Sequence, residues 1–511
     1  MQSQSQSLSG AKLFLATFAL GLGSFMNILD MSIANVALPT IAGDFAISPT
    51  QGTWVITSYS VSEAIFLPLT GWLSRRFGEV RQFVFATLLF TLASLMCAVA
   101  PSFALLVFAR ILQGIVGASM IPLSQALMVK SFKPEKAGVG LGIWATTTVV
   151  APVLGPLIGG WLTDHHSWRW VFYINLPFGI ICAYLVYRIF GFTKPETIDA
   201  PVDKVGLTLL ILGVSSLQLM LDKGSELDWF SSPWIVCLAT VSFLSLTSLI
   251  LWELGEEHPV IDLRLFKLRN FAVSSFCLAF GSFAFFIYVV IGPLWMQTQL
   301  GYKAYTAGMV MSYTGILALF CGPLFGANIH RLDARAIASF GFIVMAYSCY
   351  VASTFNAGVD KTTLILARIT VGAGIAGFFM PLTVISMSQL KVHEIAAGTG
   401  ITNFLRNIGG SVGTAIGATM WNDHASSHHM QLVEFINPAQ IAYQDFAQKA
   451  ATVGLNGSSL LSYIDRLIYG EAYALSTNHL MLFASFVMLA LLPVVWLAKP
   501  PFGSTGAGGG H

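Results

Sequence analysis

Residues 14–39 read FLATFALGLGSFMNILDMSIANVALP, an apolar stretch long enough to cross a bilayer as one helix, with an aspartate, Asp30, inside it. A carboxylate in hydrocarbon is costly, and such a residue ordinarily turns toward a protein cavity and a partner. At 1.5 Å of rise per residue Asp30 lies about 27 Å along its helix, in the far half of the membrane. The rest of the chain decides what surrounds it and what enters.

The 511 residues are 55% hydrophobic and 10% charged, with a mean hydropathy of +0.73. A soluble domain carries about 25% charged residues, so the composition describes a polytopic membrane protein. A net charge of +2 gives no footing for nucleic acid. All six cysteines fall in apolar segments without CxxC spacing, so no disulfide framework or zinc site is expected, and small buried side chains are the reading. His424 and His428, four apart, share a helical face without a third ligand in view, and no metal is expected. No GxxxxGK[ST] occurs, so the chain has no P-loop of its own, ATP drive is unsupported and no cofactor is expected. The first apolar run is too long for a signal segment and is expected to persist as a spanning helix.

Apolar segments near 13–38, 52–74, 82–100, 104–128, 138–162, 170–190, 205–222, 233–252, 270–296, 305–327, 336–354, 363–388, 398–422 and 478–498 give fourteen helices. Placing the N-terminus in the cytoplasm puts seventeen Lys and Arg inside and six outside; Arg110, Arg368 and Arg406 lie within helices and complete the 26. Both termini are then cytoplasmic. Two spacings recur. Gly71 stands five residues before Arg76, and Gly326 five before Arg331. Arg110 stands four before Gly114, with Pro122-Leu123 following, and Arg368 four before Gly372, with Pro381-Leu382 following. Such repeats mark transporters with the substrate site between two halves. The expected division is residues 1–200 as one six-helix bundle, 201–258 as two inserted helices, and 259–511 as the second bundle, a 6+2+6 arrangement. Residues 423–477 form a hydrophilic outer segment, with amphipathic helices expected at 439–451 and 459–475 and a docking role.

Three charged residues are candidates for proton coupling: Asp30, Arg110 at similar depth, and Glu63 near the middle of the second helix. A carboxylate beside an arginine can exchange its proton, and the arginine tunes that exchange. The expected geometry pairs Asp30 and Arg110 across the cavity. Asn35, Gln113, Asn403 and Arg406 are the candidate cavity polar groups, and Arg368, near the outer interface, is expected to snorkel. In the fifth helix Gly155, Pro156, Gly159 and Gly160 combine small residues with a helix-bending proline, as a close and movable contact requires. Gly372–Gly377 matches GxGxxG but lies mid-helix, where packing explains it.

Taken together, LDMSIANVALP (29–39), Arg110-Ile-Leu-Gln113-Gly114, Gly155-Pro156-Leu-Ile-Gly159-Gly160, WRWVFYINLP (168–177), LDKGSELDWF (221–230), PVIDLRLFK (259–267) and the ending from Ala498 to Gly503 resemble the 14-helix drug:proton antiporter family of the major facilitator superfamily, and within it the EmrB-like pumps. The likeness covers essentially the whole chain. It implies an all-α major facilitator fold, and a bacterial inner-membrane antiporter that exports hydrophobic toxic compounds against protons by alternating access. It also implies a periplasmic adaptor (membrane fusion) protein and an outer-membrane channel as partners. RxxQG is the family motif implicated in proton transfer, and Gly71, Arg75, Arg76 and Gly78 fall in its cytoplasmic latch. In GWLSRRFGEVR (71–81) the charges are exchanged, since the pattern has an acidic residue where Arg75 stands and a basic one where Glu79 stands. The alternative left open is a proton-coupled importer or facilitator of one nutrient. An intramembrane enzyme would need a nucleophile and base or a metal set, and none is evident.

Overall fold

The computed structural model describes residues 8–133, 136–191, 203–257, 259–329, 331–356, 358–391 and 393–502. The expected 200/201 boundary, Lys194, His330 and the chain ends lie outside them. Within a bilayer every backbone N–H and C=O must be satisfied inside the protein, so an apolar chain of this length is confined to helices or a closed barrel. The described residues contain helices and no strand.

In chain order the longer helices are α1 (Gly10–Asp44), α2 (Trp54–Phe66), α3 (Thr70–Phe77), α4 (Glu79–Ala98), α5 (Phe103–Gly117), α6 (Met120–Ser131), α7 (Ala137–His165), α8 (Asn175–Phe190), α9 (Lys204–Lys223) and α10 (Pro233–Gly255). They continue with α11 (Arg269–Thr298), α12 (Ala304–Ser312), α13 (Thr314–Asn328), α14 (Ala334–Ala352), α15 (Lys361–Met387), α16 (Ile395–Glu434), α17 (Ile441–Thr452) and α18 (Ser458–Val495). Helix stands at each of the fourteen expected places. Twelve rods among the described residues are long and apolar enough to cross a membrane, α5–α6 and α12–α13 each counting as one. The second place is divided around Pro68 into α2 and α3, and α16 is rich in Gly, Thr and Asn.

One end of the bundle carries the basic loops. There Glu79 at the start of α4 takes both carboxylate oxygens to Lys130 Nζ at the end of α6, each at 2.7 Å. Gly78, at φ +83°, turns the chain from α3 into α4, a conformation that glycine adopts without strain. Asp333 caps α14 and accepts from Arg335, which holds its carboxyl below the usual range. Two glycine contacts seal this basic face. A Cβ on Gly71 of α3 would lie 2.6 Å from the Ala397 Cα of α16, and one on Gly326 of α13 would meet the Gly138 carbonyl of α7. The glycines of the five-residue repeat thus make reciprocal contacts, each onto the opening turns of a helix from the other end of the chain.

On the opposite face, α9 and α10 pack together, and the turn between them bridges distant helices. Lys223 Nζ reaches Thr53 Oγ1 at 3.2 Å, and Trp229 Nε1 donates to Thr419 Oγ1 of α16 at 2.9 Å. Much of α10 is exposed along apolar side chains (Trp234, Phe243, Leu251), as suits a lipid-facing helix. Cys237 on α10 is exposed and Cys321 half-buried, so these two depart from the expected buried setting because their helices face outward.

Segment 423–477 is largely helical, with breaks at 435–440 and 453–457. Helices α16 and α18, 40 and 38 residues long, run past the bilayer thickness as one hairpin. Tyr473 packs at a tilt against Trp421, whose Nε1 donates to Thr477 Oγ1 at 2.8 Å, and Ser476 Oγ donates to the Trp421 carbonyl at 2.6 Å. The helix expected at 439–451 is α17; the one expected at 459–475 is the opening of α18. His428 Nε2 meets His479 Nδ1 across the hairpin at 3.2 Å.

Candidate functional site

Asp30 is 1% exposed and fully engaged. Its Oδ2 accepts from Arg110 Nη1 of α5 at 2.5 Å; its Oδ1 accepts from Gln113 Nε2 at 2.9 Å and from Asn175 Nδ2 of α8 at 2.6 Å. Ser94 Oγ of α4 accepts from both amides, at 2.8 and 3.2 Å. Arg110 Nε donates to the Val55 carbonyl of α2 at 2.9 Å, and its Cζ lies 4.3 Å from the Tyr59 ring centroid. Five helices thus converge on one ion pair. A buried pair needs further hydrogen bonds to offset its desolvation; the amides of Gln113 and Asn175 supply them to the carboxylate, while Arg110 Nη2 is buried without a hydrogen-bond partner among the described residues.

The pair does not span the cavity. A chamber of about 240 Å³ lies between helices from both ends of the chain. Its walls include Asn27, Ile28 and Met31 of α1, Glu63 of α2, Phe285, Phe286 and Tyr288 of α11, Arg368 and Phe379 of α15, and Asn403, Arg406 and Asn407 of α16. Asp30 is absent from this lining because it sits about 100° around α1 from Met31, on the face turned to α5 and α8. Gln113 goes with it. Asn35 occupies the cavity stripe of α1 but stands about 6 Å beyond Met31 along the axis, and it is exposed outside the chamber. Asn403 and Arg406 line the chamber; Asn403 donates to Gln125 Oε1 of α6 at 3.1 Å, across the two ends of the chain. Glu63 also lines the chamber and accepts from Tyr59 Oη at 3.4 Å.

Arg368 corrects a second expectation. It does not snorkel: it is 7% exposed, its Cζ is 4.2 Å from the Tyr288 ring centroid, and it borders the chamber. Depth along a helix says how far a side chain is from the interface, not what covers it.

The fifth-helix motif divides into parts. A Cβ on Gly155 would collide with Ser32 of α1, and one on Gly159 would stand 3.2 Å from the Ile33 carbonyl, while Gly160 meets nothing within 4 Å. Pro156 has no N–H for the Pro152 carbonyl four residues earlier, and Ser32 Oγ donates to that carbonyl instead, at 3.1 Å. The proline thus both loosens α7 and fastens it to α1. Nearer the basic face Gly142 packs on α13, where a Cβ would be 2.5 Å from the Gly322 carbonyl. Arg76 lies over Trp72 with its Cζ 5.6 Å from the ring centroid. Of the exchanged charges at 71–81, Glu79 finds an ion-pair partner in Lys130.

Asn175 and Ser94 belong to the Asp30 hydrogen-bond network and were missed by sequence reasoning. Asn175 lies in the WRWVFYINLP stretch, an asparagine amid apolar residues, which is the one signal that marks it.

A sequence model described as the Major Facilitator Superfamily matches residues 20–414. The chain belongs to the major facilitator superfamily. This major facilitator is 42% identical over 501 residues to the multidrug export protein EmrB of Haemophilus influenzae, covering 97% of this chain and 98% of that protein. It is 41% identical to EmrB of Escherichia coli K12 over 508 residues, and 41% identical to the fatty acid resistance protein FarB of Neisseria gonorrhoeae over 504 residues, each match covering 99% of both chains. A crystal structure of the human organic anion transporter MFSD10 (TETRAN) superposes with a TM-score of 0.59 at 12% identity, covering 94% of this chain and all of that one, a likeness of fold. The chain is an EmrB-like major facilitator, a transporter and a multi-pass protein of the bacterial inner membrane.

Proposed function

We propose that this major facilitator is a proton-driven multidrug exporter of hydrophobic toxic compounds, working by alternating access. The observation that carries the reading is a chamber shared by helices from both ends of a chain that is 41–42% identical, over nearly its full length, to multidrug export proteins. The moving bodies are residues 1–200 and 259–511, with 201–258 as an inserted hairpin, in fourteen spans. The excess of Lys and Arg makes the basic face cytoplasmic, along with both termini. The glycine contacts of that face, α3 on α16 and α7 on α13, are then the seams that part when the chamber opens inward.

Asp30 is the principal proton carrier and Arg110 its partner, with Gln113 and Asn175 holding the carboxylate. Coupling runs through α1 rather than by competition for one carboxylate. One face of α1 holds Asp30; another, with Asn27, Ile28 and Met31, forms cavity wall. A proton on Asp30 weakens the hold of Arg110 and both amides, and α1 carries that change to the cargo. Glu63 is the carboxylate that meets cargo directly. The arm of α16, α17 and α18 reaches past the membrane on the periplasmic side and exposes Phe435, Ile441 and Val453, a surface suited to a periplasmic adaptor leading to an outer-membrane channel.

Everted membrane vesicles made acid inside test the reading. Apolar compounds of differing charge should accumulate in vesicles with the wild-type chain and stop doing so when the gradient is collapsed or when Asp30→Asn is present. Accumulation that persists without a gradient would overturn proton coupling, and movement only in the reverse direction would overturn export.

A further inference from the structure

Arg368 is a buried cation for which the chain supplies no counter-charge. Its Nη1 is enclosed with no hydrogen-bond partner, and among the described residues no carboxylate lies within ion-pair distance of the guanidinium. Nη2 lies against the backbone of α11 at Gly292, where a Cβ would collide with it. The face of Tyr288 offsets part of the cost, but an aromatic ring is a weaker partner than an anion. Arg406 adds a second cation to the chamber, and Glu63 is the only carboxylate in its lining among the described residues. The remaining walls are apolar: Phe285 stands 5.6 Å from Phe286 and 5.7 Å from Phe379, ring centroid to ring centroid, with Val289, Val371 and Ile375 beside them.

We propose that Arg368 anchors an anion subsite in the chamber, taking the carboxylate head of an apolar-bodied acid whose hydrocarbon lies on the phenylalanine wall. A guanidinium presents paired N–H groups that match a carboxylate in a fork, and among mostly apolar walls such charge-assisted bonds are stronger than in bulk water. The chain fills the neighbouring walls with rings and the contact of Nη2 with glycine, so the missing negative charge is brought by the cargo. This rests on the reading of the chamber as the cargo site.

The test uses the full chain in lipid nanodiscs at fixed pH, with equilibrium binding of three probes that share one ring system: 2-naphthoate, its methyl ester and 2-naphthyltrimethylammonium. The wild type should favour the carboxylate. Arg368→Gln should weaken naphthoate binding about 10-fold or more while leaving the ester within about twofold, which also shows that the variant is folded. Arg368→Lys, with the charge but not the fork, should fall between. Equal naphthoate binding by wild type and Arg368→Gln overturns the subsite while the cargo reading of the chamber stands. Equal loss of all three probes assigns Arg368 to structure and overturns it too. Failure of wild type to bind any probe overturns the cargo reading and the subsite together.

Discussion

Arg110 and Arg368 stand at matching places in two repeats, each four residues before a glycine and each over a tyrosine ring, at 4.3 and 4.2 Å, yet their surroundings differ in kind. Arg110 is closed into a network with Asp30, Gln113 and the Val55 carbonyl, turned away from the chamber. Arg368 borders the chamber beside glycine and aromatic rings. Where a repeat duplicates a charge but not its partner, the first copy can hold a buried carboxylate in place while the second remains available to something that arrives.

The largest effect expected from this contrast is on Arg110. Arg110→Gln leaves Asp30 buried without its cation, and should cost about 3–5 kcal/mol of stability and abolish proton-driven transport; Arg368→Gln removes an unpaired charge and should leave the melting temperature of the purified protein unchanged or raised. Equal melting shifts for the two variants would erase the distinction. Next, Gly292→Asp would place a carboxylate beside Arg368, displacing the flexible end of that side chain. It should make the second site resemble the first, reducing naphthoate binding to the level of Arg368→Gln with the ester unaffected. Naphthoate binding as in wild type would show that the guanidinium stays open to cargo.

The glycines that follow each arginine should behave alike, because here the repeats agree. A Cβ on Gly114 would stand 2.9 Å from the Ser62 Cβ, and one on Gly372 would stand 2.8 Å from the Ala318 amide nitrogen. Gly114→Val and Gly372→Val should each destabilise by about 1–3 kcal/mol in thermal unfolding; Gly160→Ala, with open space around it, should not. The smallest effect belongs to Lys130→Gln, which breaks the pair with Glu79 at the basic face. Within about 1 kcal/mol is expected for a partly exposed pair, and a larger melting shift would make that pair a stability element as well as part of a latch.

The first helix, the acid within it and the arginine at matching depth were legible because charge in hydrocarbon stands out against an apolar background. Gln113 came with Arg110, three residues on and one turn away. Asn175 and Ser94 were not legible, since they join the network from helices whose approach no local spacing records. Asp30 turns to a side of its helix away from the chamber, and Asn35 stands on the chamber stripe but beyond its end. Depth and direction are separate coordinates, and a linear reading supplies depth more readily.

The sequence by itself determined a helical membrane protein, the positions of its apolar segments, the repeat and the identity of its buried charges, because the bilayer imposes backbone satisfaction and charge exclusion on any chain that enters it. Only the tertiary structure decided which charges meet. It closed Asp30 on Arg110 away from the chamber, set Arg368 and Arg406 into it, and drew segment 423–477 into an arm continuous with α16 and α18. Those outcomes depend on the rotation of each helix about its axis and on close backbone approach at a few glycines, which are properties of pairs of helices rather than of any one.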